Sequence, residues 1–199
     1  MSEEVMFFRA AADDIHINER ELAARLKTNV GFENELLDKC KKKLMESIDY
    51  KCAYIRCDVG LSKENVCDFG FMTIPSKSLY KNLYGCNEAF VIAVTTGIAV
   101  DRLLVRLNAV SQAEHYMTDA LSSAAVESFC DYACDKISEG IHCANRFSPG
   151  YGDVSIEVQK PLLARLNAER LLGITLNNAY LMTPVKSITA IMGIRSEQG

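Results

Sequence analysis

Many familiar signatures are missing from this sequence. Its eight cysteines include no CxxC pair, and Cys52/Cys57 and Cys130/Cys134 sit inside apolar segments. Zinc sites favour close Cys/His pairs, so these thiols are expected to be reduced and mostly buried. The opening Met1-Ser2-Glu3-Glu4 is acidic where a secretory signal is basic. The longest near-apolar run covers residues 89–100 and is interrupted by Thr95, Thr96 and Gly97. A bilayer span takes ~20 apolar residues. The expectation is a soluble, cytoplasmic chain with no membrane partner. Dense basic patches are also absent apart from Lys41-Lys42-Lys43, and the formal net charge is -4. That balance speaks against nucleic acid as a partner. The three lysines follow Leu36, Leu37 and Cys40 at helical spacing, as the wet face of a helix would.

The common catalytic motifs are missing too. There is no Gly-rich phosphate loop and no GxSxG elbow. His16, His115 and His142 are scattered and form no His-x-x-x-His pair. No acid/base dyad or nucleophile presents itself. A binder or accessory protein therefore fits better than a self-contained hydrolase.

What is present is an ordinary globular composition, 49% apolar over 199 residues. This suits one domain, or one with a modest N-terminal appendage. Residues 1–14 show no clear period. Asn18 before Glu19, Arg20 and Glu21 reads as a helix N-cap with acids in the first turn, and residues 29–31 stop that helix. A second helix is expected from Glu33 to Ile48, where Leu36, Leu37, Cys40, Leu44 and Ile48 recur at three- and four-residue steps. The period then changes. Tyr50, Cys52, Tyr54 and Ile55 suggest a strand ending near Val59-Gly60, residues 58–62 a turn, and residues 65–73 another strand. Pro75-Ser76-Lys77-Ser78 reads as the start of a short helix that closes at Gly85. Phe90 to Val94 form a continuous apolar run, which implies a strand buried on both faces. Gly97 breaks it before a helix carrying Val100, Leu103, Leu104 and Leu107. A long helix follows over residues 113–137. After a loop at 139–155 come a short helix with Leu162, Leu163 and Leu166, and a turn ended by Gly173. Two strands, 179–182 and 187–194, close the pattern, and the C-terminal tail reads as disordered. The predicted class is an α+β fold with an antiparallel or mixed sheet and packed helices. No clean domain boundary is visible; the nearest candidate is the region 60–75.

Two places stand out. On the long helix Ala113, Met117, Ala120 and Ala124 form one stripe, and Glu127 continues it. A carboxylate on a small apolar face is costly without a partner, so Glu127 either has a function there or, on the plainer reading, sits at a frayed edge or pairs with a nearby cation. The second place is the segment from Arg146 to Asp153. Arginine offers a planar fork suited to a carboxylate. Gly150 and Gly152 flank Tyr151 and permit close backbone approach, although plain surface turns share this composition. Phe147 or Tyr151 could place a ring face against an adenine or a sulfonium. An amino-acid-bearing nucleoside needs these contacts plus an acid, which Glu127 could supply.

Arg146-x-x-x-Gly150-Tyr151 resembles the RxxxGY signature of the activation domain of cobalamin-dependent methionine synthase. Residues 120–129, Ala-Leu-Ser-Ser-Ala-Ala-Val-Glu-Ser-Phe, resemble that domain's helix with a ligand-contacting glutamate. Residues 171–184, ending in Met182-Thr183-Pro184, resemble its following GxxLxxSxxMxP-like segment. The likeness is strong over residues 85–194. Residues 1–84 resemble the N-terminal helical and strand region of free-standing versions of this unit. Residues 85–199 would be the activation-domain-like core. The resemblance implies an S-adenosylmethionine-binding accessory subunit, a component of methionine synthase and not a complete catalyst. It would serve reductive remethylation of cob(II)alamin presented by the cobalamin-binding core of a partner methionine synthase, with electrons from a flavodoxin-like reductant. Arg146 and Glu127 would hold the ligand, and Phe147, Ser148, Gly150 and Tyr151 would shape its pocket. No metal site is implied. This sequence departs from the family in two respects: a ligand-contacting tyrosine on a later strand and an early aspartate have no counterpart. Those departures leave a second reading, a corrinoid-protein interaction module that does not use S-adenosylmethionine. A stand-alone methyltransferase is a third, disfavoured by the missing nucleotide-binding glycine loop.

Overall fold

The computed structural model describes residues 4–31 and 34–195. In chain order the strands are β1 (Met6–Ala10), β2 (Tyr50–Asp58), β3 (Gly60–Leu61), β4 (Val66–Asp68), β5 (Thr73–Pro75), β6 (Cys86–Thr95), β7 (Thr175–Leu176), β8 (Met182–Thr183) and β9 (Ser187–Arg195). The helices are α1 (Glu19–Leu26), α2 (Glu35–Met45), α3 (Lys77–Asn82), α4 (Ile98–Val110), α5 (Gln112–Ile137), α6 (Gln159–Arg165) and α7 (Ala168–Leu172). The main sheet has four strands in the order β1-β2-β6-β9, and each pairing is antiparallel. The expected α+β class with an antiparallel sheet is therefore what the chain adopts. The two halves of the chain meet side by side in this sheet: β1 and β2 precede residue 85, β6 and β9 follow it, and β2 pairs with β6.

The apolar run of β6 is explained by layers on both sheet faces. Phe90, Ile92 and Val94 join Tyr50, Cys52, Met192 and Ile194 in one core, against Leu37 and Leu44 of α2 and Leu121, Ala125 and Phe129 of α5. Ala89, Val91 and Ala93 point the other way, with Ala53, Ile55 and Ile191. They pack on Leu79 of α3, Leu162 of α6 and Leu172 of α7. Alternation along a strand puts successive side chains on opposite faces, so a strand covered twice must be apolar throughout. Residues 60–75 form a small three-stranded sheet, β3-β4-β5, whose Cys67, Phe69 and Ile74 belong to this second core.

Several helix starts follow from capping. The Asn18 carboxamide oxygen accepts from the backbone N–H of Arg20 and Glu21, that of Asn34 from Leu37, and the Ser76 hydroxyl from Leu79. Such caps satisfy N–H groups that have no partner within the helix. Lys27 ends α1 in a left-handed conformation at φ 54°, ahead of the expected stop at residues 29–31. The second helix ends at Met45, not Ile48, because Asp49 turns away to donate to the Thr96 carbonyl. Its expected start, Glu33, lies outside the described residues, as does the tail from residue 196.

Three expectations need correction. Residues 6–10, read as patternless, form β1, an edge strand with little alternation because one face packs on Tyr54 and Phe129 while Met6 and Phe7 stay exposed. The predicted strand 65–73 is two short strands, β4 and β5, separated by a turn in which Gly70 adopts φ 77°. The predicted strand 179–182 is mostly a turn. The Asn177 side chain accepts from Ala179 and Leu181 N–H and closes the hairpin β7–β8. Asn side chains compete with ladder bonding in this way.

The eight cysteines are free thiols, seven of them buried. Burial pushes the Cys52 thiol well above its ordinary range and the Cys67 thiol up to about 11. Among the described residues no helix is long and apolar enough to cross a membrane.

Candidate functional site

Glu127 lies in the third quarter of α5. Two turns and one turn earlier, Asp119 and Ser123 grip Lys186 at the entrance to β9, both at 2.8 Å from its ammonium nitrogen. This fixes α5 against the sheet edge. Met117, Ala120 and Ala124 of the predicted stripe are buried, whereas Ala113 is exposed. Glu127 itself is half-buried, with a side-chain exposure of 34%. It lies well inside the helix and not at a frayed end, and it pairs with a cation.

That cation is Arg146. The segment from residue 142 to 147 runs beside β9 as an extra ribbon. Phe147 and Ile191 exchange N–H···O bonds at 2.8 Å in both directions, and Ala144 N–H donates to the Gly193 carbonyl at 2.8 Å. Strand alternation sends neighbouring side chains to opposite sides. Phe147 accordingly packs on the second core, while the Arg146 guanidinium reaches α5. Its Nη2 donates to Glu127 Oε2 at 2.9 Å and lies 3.0 Å from Asp131 Oδ1. Partial burial works against the Arg146 charge, but Cys130, Asp131 and Glu127 outweigh it and raise the guanidinium pKa above its ordinary value. Arg25 of α1 stands 3.9 Å from the other Glu127 oxygen.

After Phe147 the chain folds back on itself. Gly150 N–H donates to the Val154 carbonyl, and Val154 N–H to that of Tyr151. Gly150 adopts φ 87°, and a Cβ there would meet Ile156 at 3.2 Å. Asp153 pins this loop to the start of α3. It accepts from the Ser76 hydroxyl, from Lys77 N–H at 2.8 Å and from Ser78 N–H at 3.2 Å. The Ser76 hydroxyl above all, with these two backbone donors, holds its carboxyl well below the usual carboxylate range.

Glu127, Arg146, Phe147, Ser148 and Tyr151 line one cleft of about 350 Å³. Gly150 shapes the loop beneath Tyr151 but is not on the cleft wall. Tyr151 is largely exposed, so its ring is available from solvent. Other wall residues were not named as site residues from the sequence. Ser187, Ile188 and Thr189 come from the start of β9, Met182 from β8, and Gln159 from the first position of α6. Strand register and helix placement bring them here, and neither is visible in local pattern. The cleft holds an acid, a guanidinium, an aromatic rim and neutral polar groups, the mixture a small zwitterionic ligand calls for.

The fold and this cleft define a class: an α+β sandwich in which a loop beside the sheet edge faces a long helix across a ligand-sized opening. No known family model matches the chain, and no curated protein matches it. Among solved structures, the chain is similar to a crystal structure of the MetH reactivation domain bound to AdoHcy. The TM-score is 0.74 at 13% identity, over 98% of this chain and 80% of that one. The two share a fold.

Proposed function

We propose that this protein binds S-adenosylmethionine and acts as an accessory subunit in the reductive remethylation of cob(II)alamin. The observation that carries this reading is the convergence of Arg146 and Glu127 on one cleft across the glycine-containing loop. The fold likeness to a reactivation domain bound to AdoHcy supports it. The residues fit the ligand in kind. Arg146 suits its carboxylate, Glu127 its ammonium or a ribose hydroxyl, and Phe147 or Tyr151 its ring or sulfonium. A cleft of about 350 Å³ is in the range of small-molecule sites. Bound there, S-adenosylmethionine would supply a methyl group activated by its sulfonium. The protein's part is to bind, orient and shield. The corrinoid would come from a separate methionine synthase core, electrons from a flavodoxin-like reductant, and the setting would be the cytoplasm.

Calorimetry or equilibrium dialysis with S-adenosylmethionine tests the reading. Binding by the unaltered protein that is strongly weakened in Arg146→Ala and also weakened in Glu127→Ala is expected. Binding that survives both changes removes this site.

A second reading is favoured by one observation. Arg146 and Glu127 already satisfy each other at 2.9 Å, so a ligand must displace that pair. On this reading the chain docks on a corrinoid protein without S-adenosylmethionine. Co-purification with the cobalamin-binding core, with and without the ligand, separates the two; docking indifferent to the ligand supports the second.

A further inference from the structure

Buried polar side-chain atoms are nearly always hydrogen-bonded, and each exception asks for an explanation. Among the described residues five buried side-chain oxygens lack a partner, and of these only Gln159 Oε1 belongs to a residue lining the cleft. Gln159 is 5% exposed. It opens α6 immediately after the tight turn Ile156–Val158, whose Ile156 side chain lies against the Gly150 bend. The residue thus follows closely on the loop that carries Arg146 and Tyr151.

The charged walls of the cleft match the charged end of an amino-acid-bearing nucleoside. A neutral amide presents a donor and an acceptor side by side. Its counterpart is an edge with an amino group next to a ring nitrogen, the pattern through which Asn and Gln engage adenine. On that edge a 6-oxopurine replaces the amino donor with a second acceptor, so the amide oxygen loses its partner and faces another oxygen. We propose that Gln159 reads the adenine edge of the bound nucleoside and makes the cleft select 6-aminopurine ligands over 6-oxopurine ones. This rests on the reading of the cleft as an S-adenosylmethionine site and extends it to the base.

The test compares S-adenosylhomocysteine with S-inosylhomocysteine by calorimetry on the unaltered protein, Gln159→Leu and Gln159→Glu. The unaltered protein is expected to bind the adenosine compound about tenfold tighter, the worth of one or two neutral hydrogen bonds. Gln159→Leu should lose about tenfold for the adenosine compound and bring the two ligands within about twofold of each other. It should melt no lower than the unaltered protein, since leucine leaves no orphaned amide. Gln159→Glu keeps the shape but loses the donor, and should weaken the adenosine compound even if the leucine variant folds poorly. Full affinity and full discrimination in Gln159→Leu or Gln159→Glu overturn the inference while leaving the site intact. Equal binding of both ligands by the unaltered protein does the same. If the unaltered protein binds neither, the reading of the cleft falls, and the inference with it.

Discussion

Arg146 stands between two carboxylates, Glu127 at 2.9 Å and Asp131 at 3.0 Å. Asp131 is the more exposed of the two, and a ligand that displaced Glu127 would leave Asp131 beside the guanidinium. A planar fork makes paired hydrogen bonds that a lysine ammonium cannot copy. Arg146→Ala is therefore expected to weaken S-adenosylmethionine binding by about 10- to 100-fold, the worth of hydrogen bonds to a charged group. Arg146→Lys should recover only part of that loss, and a titration by calorimetry checks both. Gly150 makes a different demand. Its φ of 87° is poorly tolerated by residues with a Cβ, and Ile156 lies 3.2 Å from where one would be. Gly150→Ala should destabilise the fold by ~1–2 kcal/mol, measured as a shift in the urea midpoint. At this scale the candidate site was partly legible. The fork of Arg146 and the open turn are properties of residue types in order along the chain. Gln159 was not legible, because one glutamine at a helix start resembles many others.

Asp153 joins two elements, the loop after Phe147 and α3, through three hydrogen bonds. Its folded pKa is lowered, chiefly by the Ser76 hydroxyl. A lowered acid stabilises the fold when ionised. That contribution is complete above its unfolded pKa, about 3.9, and is lost as pH falls towards the folded value. Asp153→Asn should therefore melt below the unaltered protein at about pH 7, and the gap should narrow by about pH 3. Thermal melts of both proteins across that interval provide the measurement. A gap that grows on acidification contradicts the assignment. Elements with strong local signals were legible: Asn18 caps the helix it was expected to open, the helix start read at residues 75–78 is capped by Ser76, and Gly173 ends α7 at φ 72°. β1 and the hairpin β7–β8 were not. An edge strand needs only one buried face, and a two-residue strand has no room to show a period.

Across the whole molecule, β6 is the wall shared by both cores. Ile92 is fully buried and lies between Tyr54 of β2 and Ala190 of β9. Ile92→Ala should cost ~2–5 kcal/mol, as truncation in a packed core does. The denaturant midpoint should fall without a change in slope, because the surface exposed on unfolding stays the same. From the sequence alone came the α+β class, the doubly buried strand and the loop with its arginine and glycines. Those follow from composition, periodicity and backbone freedom, which act within a few residues. The pairing of Arg146 with Glu127, the wall contributed by β9 and the placement of Gln159 came only with the tertiary structure. Strand register and the packing of α5 on the sheet decide which distant side chains share an opening, and no local pattern encodes that choice.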